Sequence, residues 1–354
     1  MKKTILAIAF IGMITSCNKP SEQIEQETAS GVVLIQNRSF YEVVLSNGES
    51  IYFSTFDEDG DVKGIATDED SVEVVTTYGT GFFISERGEI ATNAHVVSNM
   101  VSEKEVSRSV SSLFRSIKKL FKAVCEKYEE KYEEAQSAFE YAYVSDEVSV
   151  EDFNKVRDYR DAVKEELDEF KELLEEFNEI QANECEFKYR NEVRIAYNDT
   201  YVTNTSDFIP CVIVKTDSDH DLAIIQLKDK ETPPGKYVFT IEENDPLEKY
   251  SWEEKLTRMF DEDKNNTLYM SSFNLGPTLA LTDEGIKSQF NQGSISQKTN
   301  DRIMYSIPTL PGSSGSPVVN MRGQLVAVNY AGLSKTQNFN YGIRVKYLKK
   351  LVNE

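Results

Sequence analysis

Between residues 102 and 186 apolar side chains return at helical spacing, with no Gly and no Pro. On both sides they come instead in short β-branched and aromatic runs broken by turn residues. One apolar series is Val106, Val110, Leu113, Ile117, Leu120, Val124, Tyr128, Tyr132, Ala135, Phe139 and Ala142, in steps that mostly alternate between four and three. A second is Phe153, Val156, Val163, Leu167, Phe170, Leu174 and Phe177. Such spacing lays an apolar seam along each helix, as in a coiled coil. The break at 144–148 is short, so the pattern predicts an antiparallel helical hairpin over 101–186. At about 1.5 Å per residue the first helix is expected to be roughly 60 Å long. Ser149-Val-Glu-Asp152 reads as a capping box with Asp in place of Glu or Gln.

The flanking regions alternate strand and turn signals. Gly31–Ile35, Tyr41–Leu45 and Ser50–Phe53 are strand-like, with hairpin turns at Asn47-Gly48 and Asp59-Gly60. The acidic run 57–61 falls short of a calcium loop, because Thr55 occupies one ligand position and Ala66 stands where a Glu is needed. It reads as a solvated hairpin tip. Strand signals recur at Gly79–Ser85, Glu89–Thr92, Glu192–Tyr197, Ile209–Val214, Leu222–Leu227, Thr267–Ser272, Gly293–Gln297, Arg302–Ile307, Pro317–Asn320, Gln324–Asn329 and Tyr341–Val345. Short helices are expected at Tyr250–Phe260 and Tyr347–Val352. Without the helical insert, the pattern is that of an all-β sandwich or barrel rather than alternating β and α.

Composition narrows the class. A chain of 354 residues with 40% hydrophobic content can bury a large core. A net charge of −21 argues against nucleic acid and against electrostatic docking on anionic lipid. Much of the acid lies on the second predicted helix, as a solvated face. Residues 1–17 read as a secretory signal: Lys2-Lys3 followed by an apolar run from Ile5 to Ile14, short for a membrane span of about 20 residues. Thr15-Ser16-Cys17 resembles the lipobox of bacterial lipoproteins, which implies lipidation at Cys17 and an envelope anchor. Residues 18–30, polar and rich in Glu and Gln, are then expected to be a flexible tether. Cys125, Cys185 and Cys211 remain, an odd number that leaves at least one unpaired. No C-x-x-C or other metal spacing occurs, and neither metal nor cofactor is expected.

The chemistry lies in three separated blocks: Thr92-Asn-Ala-His95-Val-Val97, Asp219-His-Asp221-Leu-Ala-Ile-Ile225 and Gly312-Ser-Ser314-Gly-Ser-Pro317. A serine hydroxyl is a poor nucleophile unless a base is within reach and an acid fixes the tautomer of that base. His95 and His220 are the only histidines; His220 reads as a turn residue and His95 as the base. The α/β-hydrolase order is excluded, since no histidine follows Ser314 and Ser316 fills the fifth position of a G-x-S-x-G turn. Gly312 and Gly315 relieve side-chain sterics, so that the N–H groups of Gly312 and Ser314 can converge on an oxyanion.

These blocks resemble those of trypsin-like, chymotrypsin-fold serine proteases, closest to the bacterial HtrA-type branch. Gly79-Thr-Gly-Phe-Phe-Ile84 resembles the lead-in strand of that branch, and Tyr341-Gly-Ile-Arg-Val345 its closing strand. The resemblance implies a mainly β, two-barrel chymotrypsin-like fold over 31–100 and 187–350, with the helical hairpin inserted. It implies His95 as general base, Asp221 as its orienting acid, Ser314 as nucleophile and a polypeptide substrate. Ser316 departs from the family's usual glycine, and the insert is foreign to the family's common core. No C-terminal PDZ domain is expected, nor the regulation and cage assembly that depend on one. The primary pocket is expected along 308–311 and 329–332, with Thr309, Asn329 and Ala331 as walls; neither stretch holds an acid, so Lys or Arg is disfavoured there. The hairpin is expected to dock a protein partner or to gate the cleft. The alternative reading is a catalytically silent, protease-like binding protein of the envelope.

Overall fold

The computed structural model describes residues 19–248, 266–332 and 339–354. The proposed signal and Cys17, and the helix expected at 250–260, lie outside these residues. In chain order the elements begin with α1 (Ser21–Thr28), β1 (Val32–Val44), β2 (Ser50–Phe53), β3 (Thr55–Phe56), β4 (Val62–Lys63), β5 (Val75–Phe83) and β6 (Glu89–Thr92). Next are α2 (Ala94–Val97), α3 (Glu103–Val144), α4 (Val150–Glu179), β7 (Glu186–Tyr197), β8 (Ile209–Asp217), β9 (Leu222–Leu227) and β10 (Thr267–Ser272). Then come α5 (Pro277–Ala280), β11 (Leu281–Thr282), β12 (Gly285–Ile286), β13 (Gln289–Lys298), β14 (Arg302–Tyr305), β15 (Pro317–Asn320), β16 (Leu325–Gly332), β17 (Asn340–Arg344) and α6 (Val345–Asn353).

Two six-stranded barrels follow. The first runs β1-β5-β6-β9-β8-β7 and closes by pairing β7 with β1, with β2 added at the edge; the second is the closed barrel β10-β13-β14-β17-β16-β15. This is a mainly β, chymotrypsin-like two-barrel fold with a long helical insertion.

Strand periodicity explains the apolar runs. Successive residues of a strand face opposite sides. Val33 and Ile35 enter the core inside the first barrel, while Val32 and Leu34 enter a core to which both barrels contribute. On β9, Ala223, Ile225 and Leu227 go one way and Leu222 and Ile224 the other. The second barrel fills with Leu268, Met270, Ile303, Tyr305 and Val318, and sends Tyr269 and Val319 to the shared core.

The shared core also corrects the tether reading. Residues 21–28 form a helix, and Ile24 within it is 0% exposed. Its polar neighbours face solvent while Ile24 and Thr28, four residues apart, lie on one buried face. At the other end, α6 buries Val345, Leu348 and Leu351. Its last carbonyls, of Leu351 and Val352, accept from Lys215 Nζ at 3.1 and 2.8 Å, a cation well placed against a helix C-terminus.

The chain divides into two compact units, one of residues 1–39, 76–100 and 191–354 and one of 40–75 and 101–190. Residues 40–75, expected with the protease strands, therefore group with the hairpin. The second unit has its own core, in which Tyr41, Val43 and Phe53 of β1 and β2 pack with Val106, Val110, Phe114 and Ile180. Tyr41 stacks on Phe53 at 4.7 Å between ring centroids. The acidic run forms the expected hairpin tip, with β3 paired to β4 and Asp57 Oδ1 accepting from the N–H groups of Asp59 and Asp61.

In the hairpin, α3 begins at a full capping box between Ser102 and Glu105 that the sequence analysis did not single out. Ser149 caps α4 by accepting from the Asp152 N–H. The seam departs from the expected series: Leu120 is 64% exposed, whereas Phe114 and Cys125 are buried and Phe121 packs edge-on to Phe177. An α-helix turns every 3.6 residues, so a strict 3.5-residue reading drifts around the helix until the next position takes over.

Candidate active site

β6 and β9 pair antiparallel, with Thr92 opposite Ala223. That register brings the residues just past β6 beside those just before β9. His95 sits in the single turn α2, and Asp221 in the turn ahead of β9. Asp221 holds a left-handed backbone, φ 52°, a conformation Asp tolerates better than most residues. Asn93 Nδ2 donates to the carbonyl of Asp221 at 2.9 Å.

The Asp221 carboxylate grips His95 at two points. Oδ1 accepts from the His95 backbone N–H at 2.9 Å, and Oδ2 lies 2.6 Å from Nδ1. A carboxylate only accepts, so this geometry assigns the ring proton to Nδ1 and leaves the Nε2 lone pair free. The side chain of His95 is 37% exposed, open enough to meet a substrate.

Ser314 lies in a turn whose shape depends on its glycines. Gly312 has φ 96°, and a Cβ there would lie 2.5 Å from the Phe273 carbonyl oxygen. Gly315 has φ 88°, and its Cβ would lie 2.1 Å from the Thr80 carbonyl oxygen. Thr80 of the first barrel clamps the turn: its N–H donates to the Ser314 carbonyl at 2.8 Å and its hydroxyl to the Gly312 carbonyl at 2.8 Å. Asn329 of the second barrel holds the other side. Its N–H donates to the Ser316 carbonyl at 2.9 Å, its carbonyl accepts from the Gly315 N–H at 2.7 Å, and Nδ2 donates to the Ser313 carbonyl at 2.8 Å. Among the described residues, no acceptor takes the N–H of Gly312 or of Ser314.

His95, Gly312 and Ser314 line one open cleft of about 520 Å³, together with Tyr78, Leu275 and Gly276. The Ser314 hydroxyl donates to the Tyr330 carbonyl at 3.4 Å; no hydrogen bond joins it to His95 in this conformation.

Residues 174–328 match the trypsin-like peptidase domain. The matched span contains Asp221 and Ser314, while His95 lies ahead of it, across the helical insert. No curated protein matches the chain. Solved structures similar to it include a serine endoprotease from Yersinia pestis, at 11% identity and a TM-score of 0.44, covering 95% of this chain and 66% of that one. Another is the HtrA-type protease AlgW with a tripeptide, at 11% identity and a TM-score of 0.44, covering 95% and 63%. The chain thus spans just under two thirds of the length of these proteins. The trypsin-like match supports a serine protease.

Within the matched span the departure at Ser316 is accommodated. Ser316 is fully buried without a positive φ, and its hydroxyl donates to the Ser313 carbonyl at 2.7 Å. The pocket-wall expectation for Asn329 is corrected. Asn329 is 1% exposed, and besides the Ser313 bond its Oδ1 accepts from the Tyr305 hydroxyl at 2.6 Å. A buried amide takes internal partners, so Asn329 supports the serine turn from beneath instead of facing substrate. Thr309 is half-buried and donates to Asn340 Oδ1 at 2.7 Å. Ala331 pairs with Tyr341 in the β16–β17 ladder; its side chain lies outside the description. His220 is engaged elsewhere: Nδ1 lies 2.7 Å from Asp217 Oδ2, and the ring stacks on Tyr347. Burial raises the Asp217 carboxyl, but its hydrogen bonds from His220 outweigh this and hold it below the usual carboxylate range. Cys125, Cys185 and Cys211 are all free thiols, and burial pushes that of Cys211 up to about 12.

The sequence analysis missed Thr80, Thr92, Asn93 and Tyr305. Thr92 donates to the Thr80 carbonyl at 2.8 Å, so the two threonines and Asn93 tie the histidine block to the other two. The one available signal was position: Thr80 lies between two glycines of the lead-in strand, and Thr92 and Asn93 directly precede the histidine turn.

Proposed function

We propose that this chain is a serine endopeptidase acting through His95, Asp221 and Ser314. The observation that carries the reading is the two-point hold of Asp221 on His95, in a cleft that Ser314 shares. Rotation of the Ser314 side chain away from Tyr330 brings Oγ toward Nε2. Nε2 then takes the hydroxyl proton as Oγ bonds to the scissile carbonyl carbon. The N–H groups of Gly312 and Ser314 stabilise the oxyanion. The imidazolium returns the proton to the departing amine, leaving an acyl-enzyme that water hydrolyses by the same steps. Thr309 and Ala331 stand as the proposed walls of the acyl-side pocket.

A fluorophosphonate probe tests the assignment. Labelling of the native protein is expected, and it should vanish in Ser314→Ala and His95→Ala. In peptide hydrolysis those losses correspond to on the order of a millionfold in turnover, and Asp221→Asn to roughly 10⁴. Absence of labelling under every condition would instead favour the protease-like binding protein.

The same reading includes an envelope anchor at Cys17, which mass spectrometry of the mature N-terminus tests directly. A thioether-linked lipid on Cys17 supports it; an unmodified N-terminus elsewhere refutes it. The hairpin is proposed as the docking element for a protein partner. Its tip leaves Tyr141, Tyr143, Val144 and Val150 between 64% and 79% exposed, more apolar surface than a solvated turn requires.

A further inference from the structure

The cleft beside His95 carries a statement about substrate that the three catalytic blocks do not. It rests on the serine-protease reading and extends it to the residue that follows the scissile bond. In acyl transfer the imidazole that takes the serine proton must hand it to the leaving amine. The leaving half of the peptide therefore passes on the imidazole side of Ser314, not along β16. The cleft that His95 and Val96 line is lined also by Tyr78 and by the turn at Leu275-Gly276, and by no described residue of β16.

This turn is tightly held. The Leu275 N–H donates to the Pro311 carbonyl at 2.6 Å, one residue ahead of the oxyanion glycine. Gly276 has φ 53°, and a Cβ there would lie 2.9 Å from Tyr78. The turn is thus pinned between the serine loop and β5. Leu275 itself adopts φ 54° and is 40% exposed. A large apolar residue in the left-handed region is strained, and such strain persists only where the surroundings impose it. The result is an aliphatic side chain held at the rim of the cleft. Among the described residues, no Asp, Glu, Lys or Arg lines this cleft, although the chain carries a net charge of −21. A charged side chain entering there would lose water without gaining a partner, and an acidic one would also meet the protein's negative field.

We infer that Leu275 is a specificity-determining residue on the leaving-group side, and that the protease selects an uncharged, apolar residue immediately after the scissile bond.

The test uses the intact protein and synthetic peptides that share one acyl half and differ only at that position: Leu, Lys or Asp. A p-nitroanilide of the same acyl half, which has no residue beyond the scissile bond, serves as the reference. The Leu peptide is expected to exceed the Asp peptide at least tenfold in kcat/KM, a commonly resolved difference in pocket discrimination. Leu275→Asp is expected to collapse that ratio, with cleavage of the Leu peptide falling relative to the anilide. Leu275→Asn, which suits a left-handed backbone, covers the case in which Leu275→Asp fails to fold, and should shrink the ratio in the same direction. A wild-type ratio near one, or the wild-type ratio persisting in either folded variant, overturns the inference. Fluorophosphonate labelling separates the two failures. Labelled protein that cleaves the peptides without preference refutes this inference alone; protein that neither labels nor cleaves refutes the serine-protease reading, and this inference with it.

Discussion

At the scale of single residues, Asp221 holds His95 at two points, and Thr80 and Asn329 hold the turn that carries Ser314. His95, Asp221 and Ser314 stand out because few side chains perform nucleophilic catalysis and because their neighbours are distinctive. The residues that hold them are ordinary threonines and asparagines whose partners lie far along the chain: Thr80 and Gly312 are 232 residues apart. Nothing local marks such a pair. Asn329 shows the consequence. Its place near the serine was readable, but whether its amide faced substrate or the underside of the turn depended on Tyr305 and Ser313 arriving beneath it. Asn329→Ala leaves the Ser313 carbonyl and the Tyr305 hydroxyl without that amide. It should lower stability by about 1–3 kcal/mol in chemical denaturation and slow fluorophosphonate labelling as the turn loosens. A variant that loses stability yet labels at the native rate would show that Asn329 braces the barrel and not the nucleophile.

At the scale of elements, periodicity located the hairpin to within a few residues but misplaced part of its seam. The expected break at 144–148 and the helices Glu103–Val144 and Val150–Glu179 agree. The error lies at Leu120, where spacing counted in threes and fours left the buried face and Phe121 took over. Spacing alone cannot see this, because Phe114, Phe121 and Leu120 are all apolar and only the facing helix, through Phe177, selects among them. Truncating the buried Phe114 to Ala should cost about 3–5 kcal/mol, whereas Leu120→Ala should stay within about 0.5 kcal/mol. Thermal or chemical unfolding of the two variants checks the pair. Equal losses would restore the seam as first expected. The helix at 21–28 failed in the opposite way. A polar composition read as a tether, and the single apolar Ile24 was outvoted until the shared core gave it somewhere to go.

At the scale of the whole molecule, the boundary of the insert is the main revision. Residues 40–75 share a core with the base of the hairpin, so removing 102–186 outright would strip the cover from Tyr41, Val43 and Phe53 and confound any functional result. A cleaner variant excises 129–169 and rejoins the helices through a short turn, which keeps Phe114, Phe121 and Phe177. Serine labelling is expected to survive this excision, and any protein capture through the proposed docking hairpin to be lost. Loss of labelling in a folded protein would instead make the outer hairpin part of the catalytic machinery. What the amino-acid sequence determined by itself was the inventory: a β-rich chain, a helical insert of known length, and three blocks bearing a histidine, an aspartate and a serine. Each follows from local periodicity or from residue chemistry, which the chain carries wherever it folds. The tertiary structure decided which residues share a core, that the two strand sets close as barrels, and which polar side chains brace the serine turn. Those depend on segments that lie from 16 residues apart, as for Asn329 and Ser313, to 232 apart, as for Thr80 and Gly312, and only closure of the chain brings them into range.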